Sequence, residues 1–128
     1  MSKYRDRNRE SITNHIVDLE GRFFPNDVTA IDNTQNKGHG FTVFRNGVGD
    51  FTVTLTDEFL SLISFKVHMQ NLAVNADSQA ELGDVDLSAK TIDIRIVKKS
   101  DGTVVDGAAY DANQSVSFRF SLKQTEVI

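Results

Sequence analysis

The chain has 128 residues, no cysteine, a single proline and a formal net charge of −4 at pH 7. A domain of that size buries a core unaided, and without thiols neither a disulfide nor a thiolate metal site contributes, so stability rests on packing or assembly. No apolar run approaches the ~20 residues of a bilayer span, and the first residues are charged where a secretion signal is apolar, so a soluble chain with no membrane partner is expected.

Charge is unevenly placed from the start. Residues 1 to 10 carry Lys3, Arg5, Arg7 and Arg9 against Asp6 and Glu10, so a basic arm leads a more acidic body. The plain reading is a solvated terminus; the functional one is a detachable arm whose four cations bind a partner. Nucleic acid is not the expected partner, because the acidic body opposes phosphate and no basic stripe interleaved with aromatics follows the arm.

Residues 11 to 128 are expected to form one β-sandwich domain. Ile12, Ile16 and Leu19 fit helical spacing, but Ile12, Thr13, Ile16 and Val17 are β-branched and Gly21 interrupts, so an edge strand is placed within Asn14 to Phe24. Pro25 has no N–H for a ladder and should end it. Asn26 to Lys37 is a long polar loop, with the apolar Val28 to Ile31 as an anchoring turn.

Lys37 to Asp57, KGHGFTVFRNGVGDFTVTLTD, carries the strongest signal. Phe41 and Val43 alternate with Thr42 and Phe44, then Phe51, Val53 and Leu55 with Thr52 and Thr54, which describes two strands each with one apolar face. Asn46 and Gly47 are the expected centre of a type I′ turn, with Gly49 as a further turn glycine. A lone hairpin is marginal in water, so further strands must cover it.

Phe59 to Ile63 is expected to form one helical turn after a Thr56-Asp57 cap. A half-buried strand over Ser64 to Ala73 follows, with Phe65, Val67 and Met69 inward and Lys66, His68 and Gln70 outward. Val74 to Lys90 is a polar loop bearing Asp77, Glu81, Asp84 and Asp86. Thr91 to Val97 alternates strictly, with Ile92, Ile94 and Ile96 inside; Lys98 to Gln114 is a second polar loop; and Ser115 to Leu122 closes the domain with Val116, Phe118, Phe120 and Leu122 inward. Lys123 to Ile128 is a short tail. Six or seven strands without intervening helices predict an all-β antiparallel sandwich, jelly-roll-like.

No constellation in this sequence carries chemistry by its spacing. His15, His39 and His68 stand far apart and match no metal-ligand motif, no G-x-S-x-G elbow presents a nucleophile, and Gly38-His-Gly40 and Gly47-Val-Gly49 extend to no phosphate-binding motif. Asp101, Asp106 and Asp111 in one loop and the acidic residues of 77 to 86 in the other are the only cues for calcium. Their spacing is not that of an EF-hand, so no catalytic residue, no metal and no cofactor is assigned.

The pattern of Lys37 to Asp57, of Ala89-Lys-Thr-Ile-Asp-Ile-Arg-Ile96 and of Asn113-Gln-Ser-Val-Ser-Phe-Arg-Phe-Ser-Leu122 resembles the jelly-roll capsid decoration, or cement, proteins of tailed bacteriophages. The resemblance covers roughly residues 11 to 122 in strand layout and implies a virion structural protein without catalytic residues. It implies attachment to the outside of the head, assembled in the host cytoplasm, with the major capsid protein and further copies of itself, as homodimer or homotrimer, for partners. Phage tail, neck and fibre proteins use the same sandwich and form the alternative location. A carbohydrate-binding sandwich and a small jelly-roll enzyme are the rivals from other classes. The first would want exposed aromatics, for which only Tyr4 and Tyr110 are candidates, and the second would want clustered histidines.

Overall fold

A computed structural model describes residues 16–72, 77–107 and 109–123. Seven strands follow in order: β1 Ile16–Phe23, β2 Phe41–Gly47, β3 Asp50–Leu55, β4 Ser61–Gln70, β5 Ser78–Asp86, β6 Thr91–Lys98 and β7 Ser115–Lys123, with a 3-10 turn at Asn33–Gln35 before β2. They form two antiparallel sheets, a three-stranded one ordered β1-β7-β4 and a four-stranded one ordered β2-β3-β6-β5. The expected all-β antiparallel sandwich is what this chain adopts.

Period-two alternation builds the core between the sheets. Phe23, Val116, Phe118, Phe120 and Leu122 of the three-stranded sheet and Phe51, Val53, Ile92, Ile94 and Ile96 of the four-stranded one are all buried. The rings interlock across the gap. Phe23 meets Phe51 at 5.2 Å between centroids, and Phe41 meets Phe118 edge-on at 4.9 Å, with Phe118 stacked on Phe120 at 4.7 Å. Gly21 is part of that fit. It stands opposite Phe118 in the β1–β7 register, and a Cβ there would run into the rings of Phe41 and Phe118.

The connection from β1 to β2 guards two sheet edges. Pro25 is fully buried where β1 ends, and Ile31 anchors the loop in the core. Lys37 then exchanges two 2.9 Å backbone hydrogen bonds with Arg22 along the free side of β1. Further on, the Asn33 amide accepts from the Val43 N–H at 2.8 Å and donates to the Val43 carbonyl at 3.1 Å, standing in for a strand partner on β2.

Three expectations are corrected by the structure. The hairpin turns at Val48-Gly49 and not at Asn46-Gly47. Strand β2 runs through Gly47, which pairs with Asp50 after a register shift beyond Arg45, and only Gly49 in this turn has a positive φ, of 61°. The shift absorbs Asn46 as an irregular strand residue, whose side chain donates to Thr52 Oγ1 at 2.6 Å. Phe59 to Ile63 forms no helical turn, because the Leu60 N–H already donates to the Lys123 carbonyl at 2.7 Å and β4 begins at Ser61. The supposed loop over 74 to 90 contains strand β5, whose alternation is broken by a bulge at Gly83-Asp84. The basic arm of residues 1 to 10, with Lys3, Arg5, Arg7 and Arg9, lies outside the described residues, as does the tail from Gln124.

Candidate functional site

A broad depression crosses the outer face of the three-stranded sheet. It is a groove of about 440 Å³ lined by Glu20, Arg22, Lys37, Lys66, His68, Ser117 and Arg119, with the backbone of Gly21, Gly38 and Phe118 as its floor and rim. Strand register puts these side chains together. On one row Glu20 of β1 faces Arg119 of β7, which faces Lys66 of β4; on the next, Arg22 faces Ser117, which faces His68. The Arg22–Lys37 bridge adds Lys37 to the second row, and Gly38 can pass close over β1 because it has no Cβ, which would lie 2.5 Å from the Glu20 carbonyl oxygen.

Electrostatically the groove is a strip of cations only partly balanced. Arg119 bonds Asp18 at 3.1 Å and Glu20 at 3.3 Å, and both carboxylates therefore serve the same guanidinium. The Ser121 hydroxyl donating at 2.6 Å, together with Arg119, holds the Asp18 carboxyl below the usual range. No described carboxylate pairs with the side chains of Arg22, Lys37 or Lys66. Such a surface attracts carboxylates or other anions, without a requirement for one particular shape.

The opposite outer face carries the other sign. On the four-stranded sheet Asp50 and Glu81 flank Arg95, Thr52 donates to Asp93 at 2.8 Å, and Asp84 and Asp86 lie beyond on β5. Glu81 alone there is ion-paired, to Arg95 at 2.9 Å. A smaller depression on this face is lined by Asp50, Asp84, Asp93 and Arg95. Phe44, on the outer side of β2 opposite Thr52, is 65 % exposed at its border.

The residues singled out from the sequence are scattered by comparison. Asn46, Gly47 and Gly49 shape the β2–β3 connection. Gly49 is locked there: its N–H donates to Asp106 at 3.0 Å and its carbonyl accepts from Ile96 N–H at 2.8 Å. Arg45 closes the same corner through two hydrogen bonds to Asp106, at 3.1 and 2.8 Å. Burial raises the Asp106 pKa, but the bonds from Arg45 and the Gly49 N–H outweigh it and hold the carboxyl below its ordinary value. Four of the other acidic residues of these segments are drawn into separate local bonds: Asp77 to Ser100, Asp86 to Ser88 and Ala89, Asp101 to Thr103 and Asp111 to Asn113. Among the described residues no three potential ligands gather around a common point. His39 is exposed, and His15 and Tyr4 lie outside the described residues. Tyr110 packs edge-on against Phe24 at 5.5 Å and its hydroxyl donates to Gln35.

Arg22, Lys37, Lys66, Ser117 and Arg119 were not legible as a group. The sequence displays Asp18-x-Glu20-x-Arg22, Lys66-x-His68 and Ser117-x-Arg119-x-Ser121 as outward positions on three strands. That the three strands are neighbours is a property of the topology, which alternation does not encode. No family model, curated protein or solved structure matches this chain.

Proposed function

We propose that this chain is a structural protein of a tailed-phage virion, a cement protein that attaches to the outside of the head, bridges capsomers of the major capsid protein and associates with its own copies. The observation that carries the reading is the apolar stretch left exposed at the start of the edge strand β4, where Leu60, Ile63 and Phe65 are each half exposed. A monomer that functions alone gains nothing from exposing three large apolar side chains so close together, whereas a subunit that is buried in an assembly does. The contrast with the other edges strengthens it. Lys37 covers β1 and Asn33 covers β2, but along the start of β4, beside the bulge at Ile63, Leu60, Ile63 and Phe65 stay half exposed.

The reading assigns binding to surfaces and no bond-making step to any residue. It is tested by electron cryomicroscopy of purified particles from cells that produce the chain. Density on the head at capsomer boundaries that fits the seven-stranded sandwich is the expected result. Density confined to a tail, neck or fibre would replace the head by that location, and absence of the chain from the particles by mass spectrometry would overturn the virion assignment.

A further inference from the structure

The two outer faces of the sandwich carry opposite charge, and we infer that they bind one another between copies, so that the acidic face of one molecule docks on the basic groove of the next. The basic face offers Arg22, Lys37 and Lys66 without described ion-pair partners, beside Arg119. The acidic face offers Asp50, Asp84, Asp86 and Asp93, with only Arg95 among its charges opposing them. Each set spans three neighbouring strands, β1, β7 and β4 on the basic face and β3, β6 and β5 on the acidic one, so the two are matched in width as well as in sign. Phe44, 65 % exposed at the border of the acidic face, adds an apolar anchor of the kind that interface centres use.

Size and symmetry follow from the same geometry. A face three strands wide and eight residues long measures about 14 by 27 Å, on the order of 400 Å² per partner, which places the contact at the weak end of specific interfaces. Association is therefore concentration-dependent and sensitive to salt, because the charges that drive it lie at the surface. Two different faces meeting head to tail make a heterologous contact, which closes into a ring or extends as an open stack and does not produce a two-fold dimer. The inference concerns the chain with itself and stands whether or not the virion assignment does.

Sedimentation velocity on the purified full chain tests it. The wild type should associate reversibly at concentrations on the order of 100 μM in low salt, and its apparent association constant should fall about tenfold or more when salt is raised to roughly 0.3 M. Arg22→Glu with Lys66→Glu makes both faces acidic, and Asp50→Lys with Asp84→Lys cancels the net charge of the acidic face; none of these four side chains has a described hydrogen bond or ion pair to lose. Each double variant alone should be monomeric where the wild type associates, and an equal mixture of the two should associate again, through the acidic face of the first and the intact groove of the second. Wild type that stays monomeric in low salt, double variants that associate as the wild type does, or a mixture that stays monomeric would each overturn the inference. Circular dichroism establishes that the variants are folded. Should a reversal unfold the chain, Lys66→Gln and Asp84→Asn replace it: each should weaken association, and their mixture should associate more strongly than either alone through the intact acidic face of one and the intact groove of the other, while unchanged association in both would again overturn the proposal.

Discussion

The central strands and the edge strands of this sandwich obey different rules. In β6, Ile92, Ile94 and Ile96 are completely buried, and in β7 Val116, Phe118, Phe120 and Leu122 are all but sealed. In β4, Phe65 lies opposite Phe120 and so on the inner face, yet it remains 50 % exposed, while Val67 and Met69 are only partly covered. Sharing a face with the core is therefore not the same as being in it. A central strand has a neighbour on either side to carry the layer outward, whereas the inner face of an edge strand overhangs the rim of the opposing sheet.

The largest expected effect tests that difference directly. Phe51, on the central strand β3, is 1 % exposed and packs against Phe23, so Phe51→Ala should cost about 3–5 kcal/mol through lost burial and the cavity left behind. Phe65→Ala removes the same ring from the edge and should cost about 1 kcal/mol or less, since half of its surface was never withdrawn from water. Urea denaturation of the two variants checks this, and equal losses would mean that β4 is covered much as β3 is.

The same difference governs what was legible in the sequence. Strands β6 and β7 are strictly alternating because nearly every second side chain must be apolar, and the bounds this pattern predicts, Thr91 to Val97 and Ser115 to Leu122, fall within a residue of the observed ones. Strand β1, despite its interruption at Gly21, is still legible as an edge strand, because its β-branched residues outweigh the helical spacing. Strand β5 lies within a stretch whose composition predicts a loop. It reads SQAELGDVD, in which only Leu82 and Val85 are large and apolar, and the bulge between them puts them three apart instead of two. A half-buried edge strand tolerates such a pattern, and a period-two search does not detect it. The charged faces were hidden for a different reason. Alternation marks Lys66, His68, Asp93 and Arg95 as outward, but only the sheet order brings Arg22, Ser117 and His68 into one row.

The next effect in size lies where an edge hairpin touches the central strand. Gly49 has a φ of 61°, and a Cβ there would stand 2.5 Å from the Val105 carbonyl oxygen and 2.7 Å from that of Ile96. Neither oxygen can withdraw without disturbing the Val105 N–H to Ile96 carbonyl bond at 2.9 Å. Gly49→Ala should therefore destabilise by about 2–4 kcal/mol, measured as a fall in denaturation midpoint at an unchanged slope.

A smaller effect is expected at the ion pair that fastens this corner. The side chains of Arg45 and Asp106 are 16 and 11 % exposed. Asp106→Asn keeps the shape but weakens the bonds to Arg45 and Gly49, at a cost of about 1–2 kcal/mol near neutrality. The pH dependence follows from the direction of the shift. Because the folded carboxyl titrates below its ordinary value, its stabilisation is complete above the unfolded pKa of about 3.9 and is lost as pH falls through the folded value. Thermal melts of the wild type should decline across that acid range, and those of Asp106→Asn should decline less steeply. Parallel curves would mean that other carboxylates, such as the exposed Asp18, account for the acid sensitivity.

The smallest effect is expected to have the opposite sign. Gly47 is two residues from Gly49 in the same hairpin, but it belongs to the edge strand β2, has no positive φ, and would place a Cβ with no heavy atom within 4 Å. Its glycine is needed neither for the turn nor for a close approach. Replacing it with alanine removes conformational freedom from the unfolded chain while straining nothing in the folded one, so Gly47→Ala should stabilise by about 0.4–1 kcal/mol. The Asn46-Gly47 turn anticipated from the dipeptide requires the reverse, because a residue with a side chain at the second position of a type I′ turn is strained. A rise in melting temperature for Gly47→Ala beside a fall for Gly49→Ala would place the turn at Val48-Gly49 in solution. A fall for both would mean that the hairpin also samples the register in which Asn46 and Gly47 form its tip.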